Sequence, residues 1–149
     1  KVCEFESRPE HQTGFNKKTR LVRVFCFLAH NPAFSLFGHP AMPYTPTFTV
    51  NAPERAEIDA RSGALLLEFG GDWCPHCQGA QAAIAAGLAD WPQLQHMKIE
   101  DGPGRRLGRS FRVKLWPTLI LLHDGVELGR CVRPSSADVV RDLLRSLGS

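Results

Sequence analysis

The sequence has 149 residues, 43% of them hydrophobic, and a formal charge of +3, enough chain for one domain with a real core. The excess charge lies in residues 1–41, with six basic and three acidic side chains, whereas residues 42–149 carry twelve of each. That balance leaves no net field to gather phosphates, so nucleic acid is not an expected partner. No apolar run approaches the roughly 20 residues of a membrane-spanning helix, so no membrane partner is expected either.

Residues 1–41 show neither strand nor helix periodicity. Lys17, Lys18 and Arg20 precede the apolar Leu21–Ala29 as a secretory signal would, but Arg23 interrupts the run and His30-Asn31-Pro32 ends it early. The segment is read as a disordered or non-native tail, with the domain, and the native start, expected at Met42.

From there the pattern sharpens. Thr47–Val50 reads as a short strand, and Asn51 with Pro53 as the start of a helix to about Ser62, closed by Gly63. Ala64–Phe69 is nearly continuous in apolar residues, as a central strand covered on both faces should be. Pro75 opens an alanine-rich helix to about Ala89, with Ala82, Ile84, Ala85 and Leu88 expected inward. A strand at His96–Glu100 and a short helix at Arg105–Phe111 follow. The basic run Arg105, Arg106, Arg109, Arg112, Lys114 is read as a solvated face. Thr118–Leu122 and Val126–Val132 flank His123-Asp124-Gly125, a hairpin turn by its Asp-Gly. Ser135 or Ser136 caps a last helix whose Val139, Val140, Leu143, Leu144 and Leu147 form one stripe. The predicted order is β-α-β-α-β-α-β-β-α, without repeats.

Five cysteines make an odd set. Cys3, Cys26 and Cys131 have no partner at a motif spacing, and Cys131 is expected in the core. Cys74-Pro75-His76-Cys77 is different, because it places two sulfurs one turn apart at the start of a helix. There the unpaired N–H groups and the macrodipole favour a thiolate, the species that attacks disulfides. Cys74 is thus the expected nucleophile and Cys77 the resolving thiol. A zinc half-site is the competing reading, but a closed site usually takes four ligands and no second pair at ligand spacing completes it.

Trp73-Cys74-Pro75-His76-Cys77 after an apolar strand, with Trp116-Pro117-Thr118 forty residues beyond the second cysteine, resembles the thioredoxin superfamily over about residues 47–149. The resemblance implies an α/β thioredoxin-like fold, a central mixed sheet flanked by helices. It further implies a cis Pro117 facing the cysteine pair and offering backbone at residue 116 to an extended substrate. Trp73, Pro75, His76, Trp116 and Pro117 would then form the substrate-binding surface. Glu68, six residues before Cys74, stands where thioredoxins usually carry a buried Asp, and Lys98, nineteen before Pro117, where they often carry its lysine. The resemblance makes Glu68 the proton acceptor for Cys77 and Lys98 its partner. A buried carboxylate is costly, so Glu68→Gln is expected to slow resolution while raising stability.

Gly125 matches the hairpin glycine. Three positions depart from the pattern: Gly70 replaces a frequent Trp, Ala82 replaces a helix-kinking proline, and Arg133 stands where a glycine lines the substrate groove, which bears on which substrates dock. Pro-His between the cysteines resembles the oxidant DsbA-type proteins, although a domain of this size has no room for their helical insertion. An imidazole near Cys74 would stabilise its thiolate and make the disulfide more oxidising.

The expected activity is thiol–disulfide exchange with protein disulfide or dithiol substrates, served by a reductase or oxidant partner. No cofactor is called for beyond the Cys74–Cys77 pair, and no metal. A cytoplasmic monomer is expected, or a periplasmic oxidase or isomerase should residues 1–41 prove to be a targeting signal. A binding or adaptor module that merely senses redox state is the alternative from another class, and a resolving cysteine argues against it.

Overall fold

A computed structural model describes residues 44–148, and the readings placed on residues 1–41 lie outside these described residues, as does Met42. The apolar run predicted as a central strand is β1 (Ala64–Gly70), every residue after Ala64 being buried. It pairs in parallel with β2 (Gln95–Glu100) and antiparallel with β3 (Thr118–His123), and β3 pairs antiparallel with β4 (Val126–Val132). The mixed sheet therefore runs β2-β1-β3-β4.

Side chains alternate across a strand, and β1 feeds two cores. Leu66 packs with α2 (Pro75–Leu88) and α4 (Ala137–Leu144), in a cluster that also takes Cys131 as expected. Leu65, Leu67 and Phe69 pack on the other side with Ile58 of α1 (Arg55–Asp59) and Leu107 of α3 (Arg106–Ser110). The sheet is thus flanked by helices on both faces. Glu68 shares a face with Leu66, beneath α2.

Several boundaries differ from expectation for identifiable reasons. The predicted strand at 47–50 is reduced to one parallel bridge, Thr49 to Ile99. Pro46 has no N–H for a ladder, and its carbonyl is taken by the Lys98 ammonium at 3.1 Å. The first helix has Glu54, not Asn51, at its N-cap position, without a side-chain capping bond, and ends at Asp59. In α2 the buried residues are Cys77, Ala80, Ile84, Gly87 and Leu88, while Ala82 is exposed and Ala85 half-buried. Ser136 occupies the N-cap of α4 without a side-chain capping bond, and Leu147 falls in a final 3-10 turn, Arg145–Gly148. Arg105 is not merely solvated, since it bonds the Val50 carbonyl and Glu100.

The hairpin is as predicted, with positive φ at Asp124 (50°) and Gly125 (74°). A Cβ on Gly125 would lie 2.0 Å from the Asp59 carbonyl oxygen, so the end of α1 packs directly on the turn.

Candidate active site

β1 carries the chain up to Gly70, and Cys74 is the N-cap residue of α2, with Pro75 in its first turn. Pro75 suits that place because a first-turn residue has no intrahelical use for an N–H. Both sulfur-bearing residues are buried, Cys74 at 5% exposure and Cys77 at 1%. The N-terminal geometry separates the two thiols. Burial pushes the Cys74 thiol up, but hydrogen bonds from the Cys77 backbone, the Cys77 thiol and the His76 backbone N–H, with the Arg133 charge, outweigh it and hold Cys74 below the usual thiol value. Cys77 moves the other way. Its burial pushes it up to about 12, with Cys74 and the Glu68 charge adding to the rise, against the opposing hydrogen bond from the Gly71 backbone.

Gly70 is what lets the second sulfur sit there. A Cβ at Gly70 would fall 2.5 Å from Cys77 Sγ and 3.0 Å from the Phe48 ring, closer than real contacts allow. Gly70→Ala is therefore expected to displace the Cys77 sulfur, to cost about 1–3 kcal/mol of stability by overpacking, and to slow the decay of any mixed disulfide that Cys77 attacks. Thermal unfolding and the decay of that mixed species check this, and wild-type values for both would show that the sulfur and Phe48 move aside freely.

Below the cysteines lies a buried polar network. Glu68 and the side chain of His96 are fully enclosed, and Lys98 is 1% exposed. Gln81 links the network to the redox pair, its Nε2 donating both to the Cys77 carbonyl oxygen at 2.8 Å and to Glu68 Oε1 at 2.9 Å. The Thr45 N–H donates to His96 Nδ1 at 3.0 Å, so Nδ1 is an acceptor and Nε2 carries the proton, which it donates to Glu68 Oε2 at 3.1 Å. Lys98 Nζ lies 4.0 Å from Glu68 Oε1 and donates to Gln81 Oε1 at 2.7 Å, an oxygen that also accepts from the Tyr44 hydroxyl. The Phe48 ring covers the same ammonium at 4.3 Å.

Sequence reasoning named Glu68 and Lys98 and missed Gln81, His96 and Tyr44. Two of these had a signal. Gln81 is one turn beyond Cys77 on the same helix, and His96 is two residues before Lys98 on the same face of β2, opposite Leu66 as Lys98 is opposite Glu68. Tyr44 carried none, because it reaches the network from outside the sheet.

Around the rim, the Trp116–Pro117 peptide bond is cis. Trp73 is 59% exposed and meets the Trp116 ring edge to face at 5.4 Å, while the Trp116 indole N–H donates to Asp101 at 2.9 Å. Asp101 is held in turn by its own N–H to the Gly70 carbonyl. Pro75 and His76 are exposed beside the cysteines. The contribution of His76 to Cys74 comes through its backbone N–H.

A family model described as Thioredoxin matches residues 47–146. The chain belongs to the thioredoxin family. Among its relatives, the thioredoxin of Chlamydia trachomatis is 30% identical over 83 residues, which cover 56% of this chain and 81% of that protein. Among solved structures, thioredoxin 2 from Pseudomonas aeruginosa PAO1 in its reduced form is 52% identical with a TM-score of 0.64, covering 70% of this chain and 96% of that one. A mutant thioredoxin from Halobacterium salinarum is 26% identical with a TM-score of 0.56, covering 71% and 93%. The fold, the redox class and the paired cysteines thus agree with a thioredoxin. The DsbA-like reading of Pro75-His76 is not part of that agreement and belongs to the proposal below.

The approach of α2 to α4 serves the same site. A Cβ at Gly87 would lie 2.6 Å from Val140 Cβ, so the two helices touch there, and α2 and α4 share one core with the sheet.

Proposed function

We propose that this thioredoxin-family protein catalyses thiol–disulfide exchange on protein substrates, with Cys74 as nucleophile and Cys77 as resolving thiol. The observation that carries the reading is the placement of two buried cysteines at the head of α2, Cys74 as its N-cap and Cys77 one turn in, where the surroundings hold Cys74 below and push Cys77 above the usual thiol value. A pair so divided has one group ready to attack and one that acts only when a base takes its proton.

The Cys74 thiolate attacks one sulfur of a substrate disulfide, forming a Cys74–substrate bond while the other substrate sulfur leaves as a thiolate and takes a proton from solvent. Glu68, near enough for its charge to act on Cys77, accepts the Cys77 proton, while Gln81, donating to both the Glu68 carboxylate and the Cys77 carbonyl oxygen, fixes the two residues relative to each other. The Cys77 thiolate then attacks Cys74 Sγ, closing the Cys74–Cys77 disulfide and releasing the second substrate thiolate. Two electrons have passed to the substrate, and a reductase partner's dithiol returns them. Lys98 holds Gln81 and, with it, the carboxylate. Trp73, Pro75, His76, Trp116 and Pro117 receive the substrate chain, with residue 116 offering its backbone. We place the reaction in the reducing cytoplasm.

Reduction of insulin by dithiothreitol, followed as turbidity, tests the reading. The protein should accelerate it many-fold over dithiothreitol alone, and no acceleration would leave a redox-sensing adaptor. The direction of flow has its own test, because an oxidising Pro-His pair predicts that His76→Gly lowers the reduction potential measured against glutathione. An unchanged potential would assign the stabilisation of Cys74 to the backbone donors, the Cys77 thiol and Arg133, without the imidazole.

A further inference from the structure

Arg133 is a charged side chain that touches the backbone beside the cis proline and also acts on Cys74. Its Nε donates to the Trp116 carbonyl oxygen at 3.1 Å, and its own N–H donates to the Pro117 carbonyl at 2.8 Å. The residue is exposed. Its backbone is left-handed, with φ at 53°, a conformation that costs a residue with a Cβ about 1–2 kcal/mol. A glycine would sit there without that cost, so the position keeps a guanidinium against its backbone preference. Such outliers concentrate where a side chain has a task.

We infer that Arg133 is a specificity-determining residue that selects substrates bearing a carboxylate side chain next to their reactive disulfide. This rests on the redox reading above, in which an extended substrate lies along residue 116. A chain laid there passes the guanidinium, whose planar fork matches a carboxylate and repels an ammonium. The geometry couples charge to docking. The Trp116 carbonyl is held by Arg133 Nε in the unliganded protein, and a substrate carboxylate that draws the guanidinium away frees that oxygen to accept a substrate backbone N–H, the main-chain pairing by which extended peptides dock. A neutral or basic substrate leaves the carbonyl covered.

The test uses the full chain, pre-reduced, in single turnovers with three disulfide peptides that differ only in a Glu, Gln or Lys beside the reactive cysteine. Dipyridyl disulfide serves as an uncharged reagent that needs no docking. The readout is the ratio of second-order rates between peptides, in which any change in the Cys74 thiolate fraction cancels. Wild type should prefer Glu over Gln by about fivefold and disfavour Lys, the scale of an exposed ion pair. The preference should shrink in high salt.

Arg133→Gly removes the charge while relieving the backbone, so it should melt no lower than wild type, and its ratio should fall to within about twofold of one. Arg133→Glu should reverse the order. A ratio that survives in Arg133→Gly, or a wild type without charge preference that still reduces dipyridyl disulfide, overturns the role of Arg133 and leaves the redox reading standing. Failure of wild type to react with dipyridyl disulfide as well overturns both.

Discussion

Cys77→Ser should accumulate a stable mixed disulfide between Cys74 and a protein substrate, with turnover down at least about a thousandfold, as when a resolving or nucleophilic group is removed outright. Cys74→Ser should form no mixed species at all. Serine is the right replacement because the Cys77 side chain donates a hydrogen bond to Cys74, and a hydroxyl keeps that donor where alanine would lose it. The backbone donors of residues 76 and 77 are unaffected, so Cys74 should stay below the usual thiol value in the variant. The pH dependence follows with a definite sign. Attack requires the thiolate, so its rate rises with pH through the lowered value of Cys74 and then levels. It falls tenfold per unit below that point. Mass spectrometry of the trapped species and alkylation rates across pH check both parts. A variant whose Cys74 still alkylates as a thiolate but traps no substrate would refute the assignment of Cys77 as resolver.

How far the sequence alone carried differs between the sheet and the polar core. Strong signals survived because one physical cause dominated each: the unbroken apolar run of β1, the Asp124-Gly125 turn, and the proline after Cys74 at the head of α2. Alanine misled in α2. Its small side chain suits either face, so Ala82 and Ala85 gave no phase, whereas Cys77 anchors the buried set at 77, 80, 84 and 88. The strand predicted at 47–50 shrank to the single Thr49 bridge for a related reason. β-Branched and aromatic residues suggest a strand, but here Phe48 covers the Lys98 ammonium, and the chain leading in, Tyr44, Thr45 and Pro46, is spent on Gln81, His96 and Lys98. A tertiary task outweighed local propensity, and the strand prediction missed that partners from β2 and α2 would claim these groups.

Glu68→Gln should slow the attack of Cys77 on the mixed disulfide about a hundredfold, the usual worth of a positioned general base, while leaving the first attack by Cys74 within about twofold. In the free dithiol Cys77 is pushed up to about 12 by its burial, with the Cys74 and Glu68 charges adding. In the mixed disulfide the Cys74 charge is gone, but burial, the largest cause, and Glu68 remain, so near neutral pH the thiol stays protonated and its attack waits on an acceptor. With Glu68 in place the carboxylate takes the proton. Without it only solvent hydroxide serves, and decay of the mixed species should climb about tenfold per pH unit between about pH 6 and 8. The sequence alone favoured a gain in stability from deleting a buried charge, and the network reverses that expectation. Glu68 Oε1 and Oε2 both accept from N–H donors, Gln81 and His96. A glutamine must point its own NH2 at one of them. Gln81 cannot turn round, because its oxygen is held by Lys98 and Tyr44, and His96 cannot switch tautomer, because the Thr45 N–H occupies Nδ1. One donor is left facing another, and Lys98 loses its counter-charge at 4.0 Å. The variant should therefore be less stable by about 1–3 kcal/mol, the cost of an unsatisfied buried donor. Stopped-flow fluorescence from Trp73 and Trp116 follows the two kinetic steps, and a thermal melt the stability. Wild-type decay of the mixed disulfide across that pH range would remove Glu68 as proton acceptor and leave it as the anion that holds Gln81, His96 and Lys98 in place.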